Sequence, residues 1–173
     1  MNVGFVGLGS MGKGMASNIV KSGFPLWVYD LRLEASSDLV ERGARQAENL
    51  SDLSANCNWI VLSLPHQSAV EAVLFGDAGL ATGAREGQVI VDCGTTHPDF
   101  SSEAAARLRE QGVSFLDAPV TGMETKAADG TLTIMVGGDA AAYEEVLPLL
   151  DAMGEVVVHM GSPGNGQLTK MTN

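Results

Sequence analysis

A cluster of glycines between an apolar run and an amphipathic segment constrains the fold more than any other feature of the chain. Residues 7–12 read Gly-Leu-Gly-Ser-Met-Gly and fit the pattern G-x-G-x-x-G. In this pattern the first glycine permits a tight turn, the second lets a pyrophosphate approach the backbone, and the third lets helix and strand pack closely. The motif follows the apolar run 2–6 and opens the predicted helix 10–22, which is the context it requires. It therefore predicts a β-α unit that binds a dinucleotide.

Short apolar runs alternate with longer amphipathic segments along the rest of the chain. The predicted strands are 2–6, 25–29, 58–63, 88–92, 113–116, 131–136 and 155–158. The predicted helices are 10–22, 34–43, 66–74, 98–111, 139–152 and a last one that starts near residue 165. Because the strand runs are continuously apolar, they are typical of a mostly parallel sheet that is covered on both faces. The sequence thus predicts a doubly wound, Rossmann-like α/β domain.

The residue that ends the second predicted strand indicates which dinucleotide binds. Asp30 lies 18 residues after Gly12, close to the ~20 residues at which an acidic side chain meets the adenosine ribose hydroxyls. A carboxylate there repels a 2′-phosphate, so NAD is favoured over NADP as the cofactor. Arg32, two residues later, softens this preference because its positive charge attracts such a phosphate.

Composition and charge exclude several classes of partner. The chain has 173 residues and a formal net charge of −11, which argues against general binding to nucleic acids or anionic membranes. Two cysteines and three histidines show no metal-ligand spacing, so no metal site is predicted. The chain opens directly on a predicted strand, with no signal peptide and no apolar run near the ~20 residues that span a bilayer. We therefore expect a cytoplasmic protein whose partner is a small molecule.

Five stretches in order carry a family resemblance. They are residues 4–12 (GFVGLGSMG), 62–65 (LSLP), 92–95 (DCGT), 117–122 (DAPVTG) followed by 130–132 (GTL), and 161–173 (GSPGNGQLTKMTN). Together they resemble the 3-hydroxyacid dehydrogenase family, which includes 3-hydroxyisobutyrate dehydrogenase, tartronate semialdehyde reductase and L-threonate dehydrogenase, with 6-phosphogluconate dehydrogenase as a more distant relative. The resemblance implies an NAD-dependent oxidoreductase that transfers a hydride between nicotinamide and a small 3-hydroxy acid.

The resemblance also implies which residues form the site. The implied cofactor-binding residues are Gly7, Leu8, Gly9, Ser10, Met11, Gly12, Asp30, Leu64, Pro65 and Thr95. The implied substrate-binding residues are Thr121, Gly122, Met123 and Asn173, and Lys170 is the implied catalytic acid and base. Gly166, Lys170 and Asn173 fall at i, i+4 and i+7 and so share one helix face. Asp92 and Asp117 end predicted strands, and we expect them to fix turns rather than to act as acids.

Members of this family continue well beyond the last motif as an all-helical domain. The resemblance therefore implies a dinucleotide-binding domain over 1–163 and the start of an interdomain helix over 164–173, which leads to a C-terminal helical domain outside this chain. We expect the 173-residue chain alone to bind NAD(H) with little or no turnover. We expect the longer protein to be a homo-oligomer, a dimer or a tetramer.

Two alternatives stay open. One is an NADPH-dependent reductase of glyoxylate or succinic semialdehyde in the same family, against which Asp30 argues. The other is a non-catalytic nucleotide-binding module, against which the presence of Lys170 in its glycine framework argues. Gly94, Met123 and Lys126 depart from the usual family residues near the implied substrate pocket, so the identity of the substrate stays open too.

Overall fold

The computed structural model describes residues 1–173 and contains nine strands and eight α-helices. The strands are β1 (Val3–Val6), β2 (Leu26–Tyr29), β3 (Arg45–Gln46), β4 (Trp59–Leu62), β5 (Val89–Asp92), β6 (Ser114–Asp117), β7 (Val120–Thr121), β8 (Leu132–Val136) and β9 (Gly154–His159). The helices are α1 (Ser10–Lys21), α2 (Ser37–Glu41), α3 (Leu50–Asn56), α4 (Gln67–Phe75), α5 (Pro98–Arg109), α6 (Met123–Asp129), α7 (Ala140–Met153) and α8 (Asn165–Thr172).

Six strands form one sheet in the order β3-β2-β1-β4-β5-β6, and all of its pairs are parallel. The chain moves outward from β1 to one side through β2 and β3, and then returns to the other side of β1 with β4. In open α/β sheets this reversal leaves a crevice at the carboxyl ends of the strands, where ligands bind. The turn that carries the glycine motif leaves β1 at that point. The predicted doubly wound fold is confirmed.

A second, three-stranded sheet follows the first. Its order is β7-β8-β9, with β7 antiparallel and β9 parallel to β8. An isolated bridge between Asp117 and Gly137 connects the end of β6 to the end of β8. The sequence predicted β8 and β9 but not β7, because a strand of two residues shows no periodicity.

Both faces of the six-stranded sheet are covered by helices. Phe5, Met15 and Leu149 belong to the core on the face that α1, α2, α6 and α7 cover. Ile60 and Leu108 belong to the core on the opposite face, which α3, α4 and α5 cover. This explains the uninterrupted apolar strands, because successive side chains point to opposite faces and each face is buried.

Several predicted elements were wrong in extent or missing. The helix predicted over 34–43 is a 3₁₀ turn, Leu33–Ser36, followed by the five-residue α2. The sequence also missed β3, α3 and α6, since elements this short give no periodic signal that stands out from loops. α6 follows directly on the implied substrate loop, so its absence from the prediction matters for the site.

Candidate active site

The glycine turn has the geometry that the motif predicts. Gly7 adopts a φ of +99°, and a Cβ there would collide with the carbonyl oxygen of Ser63. A Cβ at Gly12 would collide with the carbonyl oxygen of Gly7, because α1 packs directly on the turn. By contrast, the space beside Gly9 is open. A ligand can thus approach the backbone at Gly9, while the two outer glycines are required by the fold itself.

A cleft of about 980 Å³ opens at the carboxyl ends of the central strands, beside the glycine turn. Many of the implied site residues line it, namely Gly7, Gly9, Ser10, Met11, Gly12, Asp30, Leu64, Pro65, Thr95 and Lys170. Lining residues outside the implied set include Tyr29, Arg32, His66, Cys93, Gly94 and Val120. Cys93 and Val120 could have been predicted, because each is close in sequence to an implied site residue, Thr95 and Thr121 respectively.

Leu8 is the one implied cofactor residue whose side chain lies outside the cleft. The side chain is buried in the core beneath the turn. Its backbone N–H instead donates a hydrogen bond of 2.7 Å to Oδ2 of Asp30. Leu8 therefore anchors the acidic side chain at the end of β2 to the glycine turn.

Asp30 has a second group of partners on its other carboxylate oxygen. The backbone N–H of Arg32 donates to Oδ1 at 2.8 Å, and the guanidinium Nε of Arg32 donates to the same oxygen at 3.4 Å. Partial burial by itself would raise the pKa of Asp30, but the hydrogen bonds from Leu8 and Arg32 and the Arg32 charge outweigh it and lower that pKa. Asp30 is thus an anion at the mouth of the cleft, with a cationic neighbour.

Lys170 projects from α8 into the same cleft. Its Nζ donates a hydrogen bond of 2.7 Å to the carbonyl oxygen of Val120, at the start of β7. Burial lowers the pKa of Lys170, because removal from water disfavours the charged ammonium. The side chain has no carboxylate partner within ion-pair distance. Its proton is therefore easier to give up than that of an exposed lysine.

The implied substrate residues lie next to the cleft but do not line it. Thr121 and Met123 are exposed, and Gly122 between them has a φ of +134°. Met123 has a φ of +60°, the single non-glycine residue with a positive φ, and its side chain is 80% exposed. Backbone strain of this kind is common in ligand-binding loops. Asn173 contacts Met135 through a weak Nδ2···Sδ hydrogen bond of 3.9 Å.

A buried polar cluster under α8 is a feature that sequence reasoning missed. Oδ1 of Asp92 accepts from the backbone N–H of Gly94 at 3.0 Å, as expected of a turn-fixing residue. Asp117 binds the start of α8 rather than its own turn, since its carboxylate accepts from the N–H groups of Gly164 and Gln167. These partners are 47 and 50 residues away in sequence, and no local pattern indicates such pairing.

The structure contains neither a cluster of metal ligands nor a reactive thiol. No group of three or more histidine, cysteine, aspartate or glutamate side chains is placed to hold a metal ion. Cys57 and Cys93 are free and buried, and burial raises the pKa of both thiols. Since the thiolate is the reactive form, neither thiol suits nucleophilic chemistry. No helix is both long enough and apolar enough to cross a membrane.

The cleft fits a dinucleotide in shape and chemistry. Gly9 leaves space for a phosphate at the N-terminus of α1, where unpaired N–H groups and the helix dipole attract anions. A carboxylate at the end of the neighbouring strand β2 is in the place of a ribose-binding group. A parallel sheet of this order with such a turn at its reversal point defines a dinucleotide-binding domain of the Rossmann type.

Comparison with known proteins specifies the family. Residues 2–161 match the family model of the NAD binding domain of 6-phosphogluconate dehydrogenase, and the chain belongs to this family. The chain is 40% identical to the NAD-dependent L-serine dehydrogenase of Pseudomonas aeruginosa over 171 residues, which cover 99% of this chain and 57% of that protein. The resemblance to 3-hydroxyacid dehydrogenases is thereby confirmed at the level of the family.

Comparison with solved structures supports the same fold. The chain superimposes with a TM-score of 0.94 on a 3-hydroxyisobutyrate dehydrogenase from Salmonella typhimurium, at 33% identity, covering 99% of this chain and 60% of that one. A structure described as Psf3 in complex with NADP⁺ and 2-OPP gives a TM-score of 0.95 at 29% identity, with coverage of 99% and 61%. The chain thus spans about 60% of the length of the proteins it matches.

Proposed function

We propose that the protein containing this chain is an NAD-dependent oxidoreductase that transfers a hydride between nicotinamide and a small 3-hydroxy acid, or its semialdehyde or keto form. The observation that carries this proposal is the position of Lys170. Its amine lies in the same cleft as the glycine turn and Asp30. The chain belongs to the family of this NAD binding domain and is similar to an NAD-dependent L-serine dehydrogenase. A binding module would have no need of a partly buried amine at this position.

The residues of the cleft divide the work of holding the cofactor. The backbone N–H groups of Ser10 and Met11, at the start of α1, would bind the pyrophosphate. Asp30 would accept hydrogen bonds from the adenosine ribose hydroxyls. Leu64, Pro65 and Thr95, at the carboxyl ends of β4 and β5, would contact the nicotinamide half. When bound, the nicotinamide supplies the hydride acceptor or donor, and the protein supplies position and electrostatics.

Lys170 would move the proton that accompanies hydride transfer. In the direction of carbonyl reduction, negative charge develops on the carbonyl oxygen, and the Lys170 ammonium donates a proton to it. In the direction of alcohol oxidation, the neutral amine accepts the hydroxyl proton. Burial lowers the pKa of Lys170 and so brings that pKa nearer to the working pH. Both the ammonium and the neutral amine are then accessible, as general acid–base catalysis requires.

The substrate carboxylate would bind beside Lys170, at the loop after β7. The Thr121 hydroxyl and the backbone N–H groups around Gly122 form a polar turn next to Val120, the residue that contacts the Lys170 amine. Asn173, the residue that follows α8, would add a side-chain donor. Thr121 and Met123 are exposed in this chain, so we expect the remaining wall of the substrate pocket to come from elsewhere in the longer protein, and the chain alone to turn over little.

Cofactor choice is the point on which a second candidate has support. The Arg32 side chain is 63% exposed beside Asp30, and one similar structure is described as a complex with NADP⁺. The alternative is an NADPH-dependent reductase that uses the same Lys170 chemistry. Asp30 favours NAD because its charge repels a 2′-phosphate.

The test is a turnover assay on the protein over its natural length. Absorbance of the reduced nicotinamide is followed with NAD and NADP against a panel of 3-hydroxy acids and small semialdehydes. Lys170→Met is expected to lower kcat at least about a hundredfold, the usual contribution of a general acid or base, while cofactor binding is kept. Lys21→Met, at an exposed lysine at the end of α1, is the matched control. Full activity in Lys170→Met, or cofactor binding with no turnover on the whole panel, would overturn the proposal.

A further inference from the structure

The start of α8 is held by a carboxylate from another element. Gly164 precedes the helix with a φ of +92°, and no side chain within the helix caps its N-terminus. Instead, Oδ1 of Asp117 accepts from Gly164 N–H at 2.8 Å, and Oδ2 accepts from Gln167 N–H at 3.0 Å. Asp117 has no exposed surface. A buried carboxylate is costly unless it is fully hydrogen-bonded, and here it satisfies the N–H groups that a helix start leaves unpaired.

The side chain of Gln167 connects the same helix to a turn of the cleft. Its Nε2 donates to the carbonyl oxygen of Gly94 at 2.8 Å, and its Oε1 accepts from the N–H of Thr96 at 3.2 Å. The side chain is completely buried. It therefore forms hydrogen bonds with the backbone on both sides of Thr95, a residue that lines the cleft.

The backbone of α8 packs so closely on the sheet that two glycines at the contact have no room for a side chain. A Cβ at Gly166 would lie 2.7 Å from the carbonyl oxygen of Asp117 and 2.9 Å from its Oδ2. A Cβ at Gly137 would lie 2.8 Å from the backbone nitrogen of Gly166. The helix backbone thus rests directly on β6 and the end of β8. Lys170 follows Gly166 by four residues, so it is placed one helical turn above this contact.

We propose that Asp117 and Gln167 are positioning residues. Asp117 fixes the start of α8 to the end of β6, Gln167 fixes α8 to the 94–96 turn, and together they set the distance between the Lys170 amine and the Thr95 side of the cleft. This inference rests on the proposed function of Lys170 as proton donor and acceptor. Neither residue lines the cleft. They act through the helix that carries Lys170 and the turn that carries Thr95.

The physical reason for such a lock is the sensitivity of proton and hydride transfer to geometry. A misplacement of ~1 Å can cost about a hundredfold in rate. Lys170 has a flexible side chain whose amine is fixed by one hydrogen bond, to Val120. The contacts of Gly164, Gly166 and Gln167 with the sheet and the 94–96 turn fix the backbone position from which the Lys170 side chain extends.

The test compares two buried glutamines in the protein over its natural length. Gln88 is 3% exposed, and its Nε2 donates to the carbonyl oxygens of Ser54 and Cys57 at 2.7 and 2.9 Å. It directly precedes β5, so it lies at the amino ends of the parallel strands, whereas the cleft lies at their carboxyl ends. Gln88→Met and Gln167→Met therefore remove similar buried hydrogen bonds, but only Gln167→Met removes the side-chain link between α8 and the 94–96 turn. If Gln167→Met does not fold, Gln167→Asn, which keeps an uncharged amide but is one methylene shorter, is measured in its place.

Two readouts decide the outcome. In turnover, Gln167→Met is expected to lower kcat roughly ten- to a hundredfold, by a larger factor than it changes the KM for NAD, while Gln88→Met lowers thermal stability but keeps kcat within about twofold. In the second readout, the lysine amines are ¹³C-dimethylated and their pKa values are measured by NMR. The Lys170 signal is assigned as the one that is missing from the spectrum of Lys170→Met. Gln167→Met is expected to raise the apparent pKa of Lys170, because a loosened helix exposes the amine to water, and Gln88→Met is expected to leave it unchanged.

The two proposals fail in different ways. An active wild type in which both glutamine variants change kcat and the Lys170 titration equally would overturn the positioning role and leave the proposed function intact. A wild type with no turnover on any substrate would contradict the proposed function. The lysine titration would then decide by itself whether Gln167 controls the environment of Lys170.

Discussion

Asp92 makes the stability of the fold depend on pH in a direction opposite to that of most carboxylates. Its side chain has no exposed surface, and Oδ2 has no hydrogen-bond partner. The pKa of Asp92 is raised to about 7, mainly by burial and to a smaller extent by the charge of Asp117 on the neighbouring strand, while the hydrogen bond from Gly94 opposes both effects. We predict that Asp92→Asn, which removes the ionisable group and keeps an acceptor for Gly94, abolishes this dependence.

The magnitude follows from linkage between protonation and folding. The unfolded chain loses this proton near pH 3.8, whereas the folded protein keeps it until about pH 7. Between these values the folded state binds more protons, so a rise in pH destabilises it. The pKa of Asp92 thus differs by about 3 between the two states, and at about 1.4 kcal/mol for each pKa unit this difference corresponds to about 4 kcal/mol. The free energy of unfolding of Asp92→Asn, minus that of wild type, should therefore rise by up to that amount from pH 4 to pH 7 and stay level above pH 8.

The assay is urea denaturation of both proteins at pH values from 4 to 9, followed by circular dichroism. The difference between the two curves is the measured quantity, because the contributions of carboxylates far from Asp92 cancel in it. Asp77→Asn, at an exposed carboxylate, controls for the change in net charge. A difference that does not vary with pH would show that Asp92 ionises normally, and a difference that falls with rising pH would show a carboxylate stabilised as an anion. Either result would refute the reasoning.

Two further predictions concern the glycine turn and the choice of cofactor. Gly9→Ala places a methyl group in open space, so we expect unchanged thermal stability but NAD binding weakened tenfold or more by calorimetry, on the order of 1.4 kcal/mol; Gly12→Ala collides with the Gly7 carbonyl and should cost about 1–3 kcal/mol of stability. Equal loss of stability in both variants would contradict this distinction. Asp30→Asn removes the charge that repels a 2′-phosphate, and we expect the affinity for NADP relative to NAD to rise about tenfold, an energy on the order of 1 kcal/mol. A ratio that does not change would show that Asp30 does not contact the ribose.

The sequence by itself determined the class of fold and the location of the cofactor cleft. Both follow from local rules, because the G-x-G-x-x-G turn needs glycines at fixed places and a doubly covered parallel sheet needs continuously apolar strands. His97 capping α5 was predictable for the same reason, since a cap and its helix are adjacent in sequence. The elements missed, such as α3 and α6, are too short for periodicity to reveal.

Only the tertiary structure decided how the parts of the site are held together. It showed that the Leu8 amide binds Asp30, that Asp117 caps α8, and that Gln167 joins α8 to the turn at Thr95. Burial of Asp92 and Lys170, and hence the direction of their pKa shifts, likewise depends on helices that come from distant parts of the chain. Hydrogen bonds and desolvation arise between groups that meet in space, so a sequence pattern identifies the candidate residues and the fold determines what surrounds them.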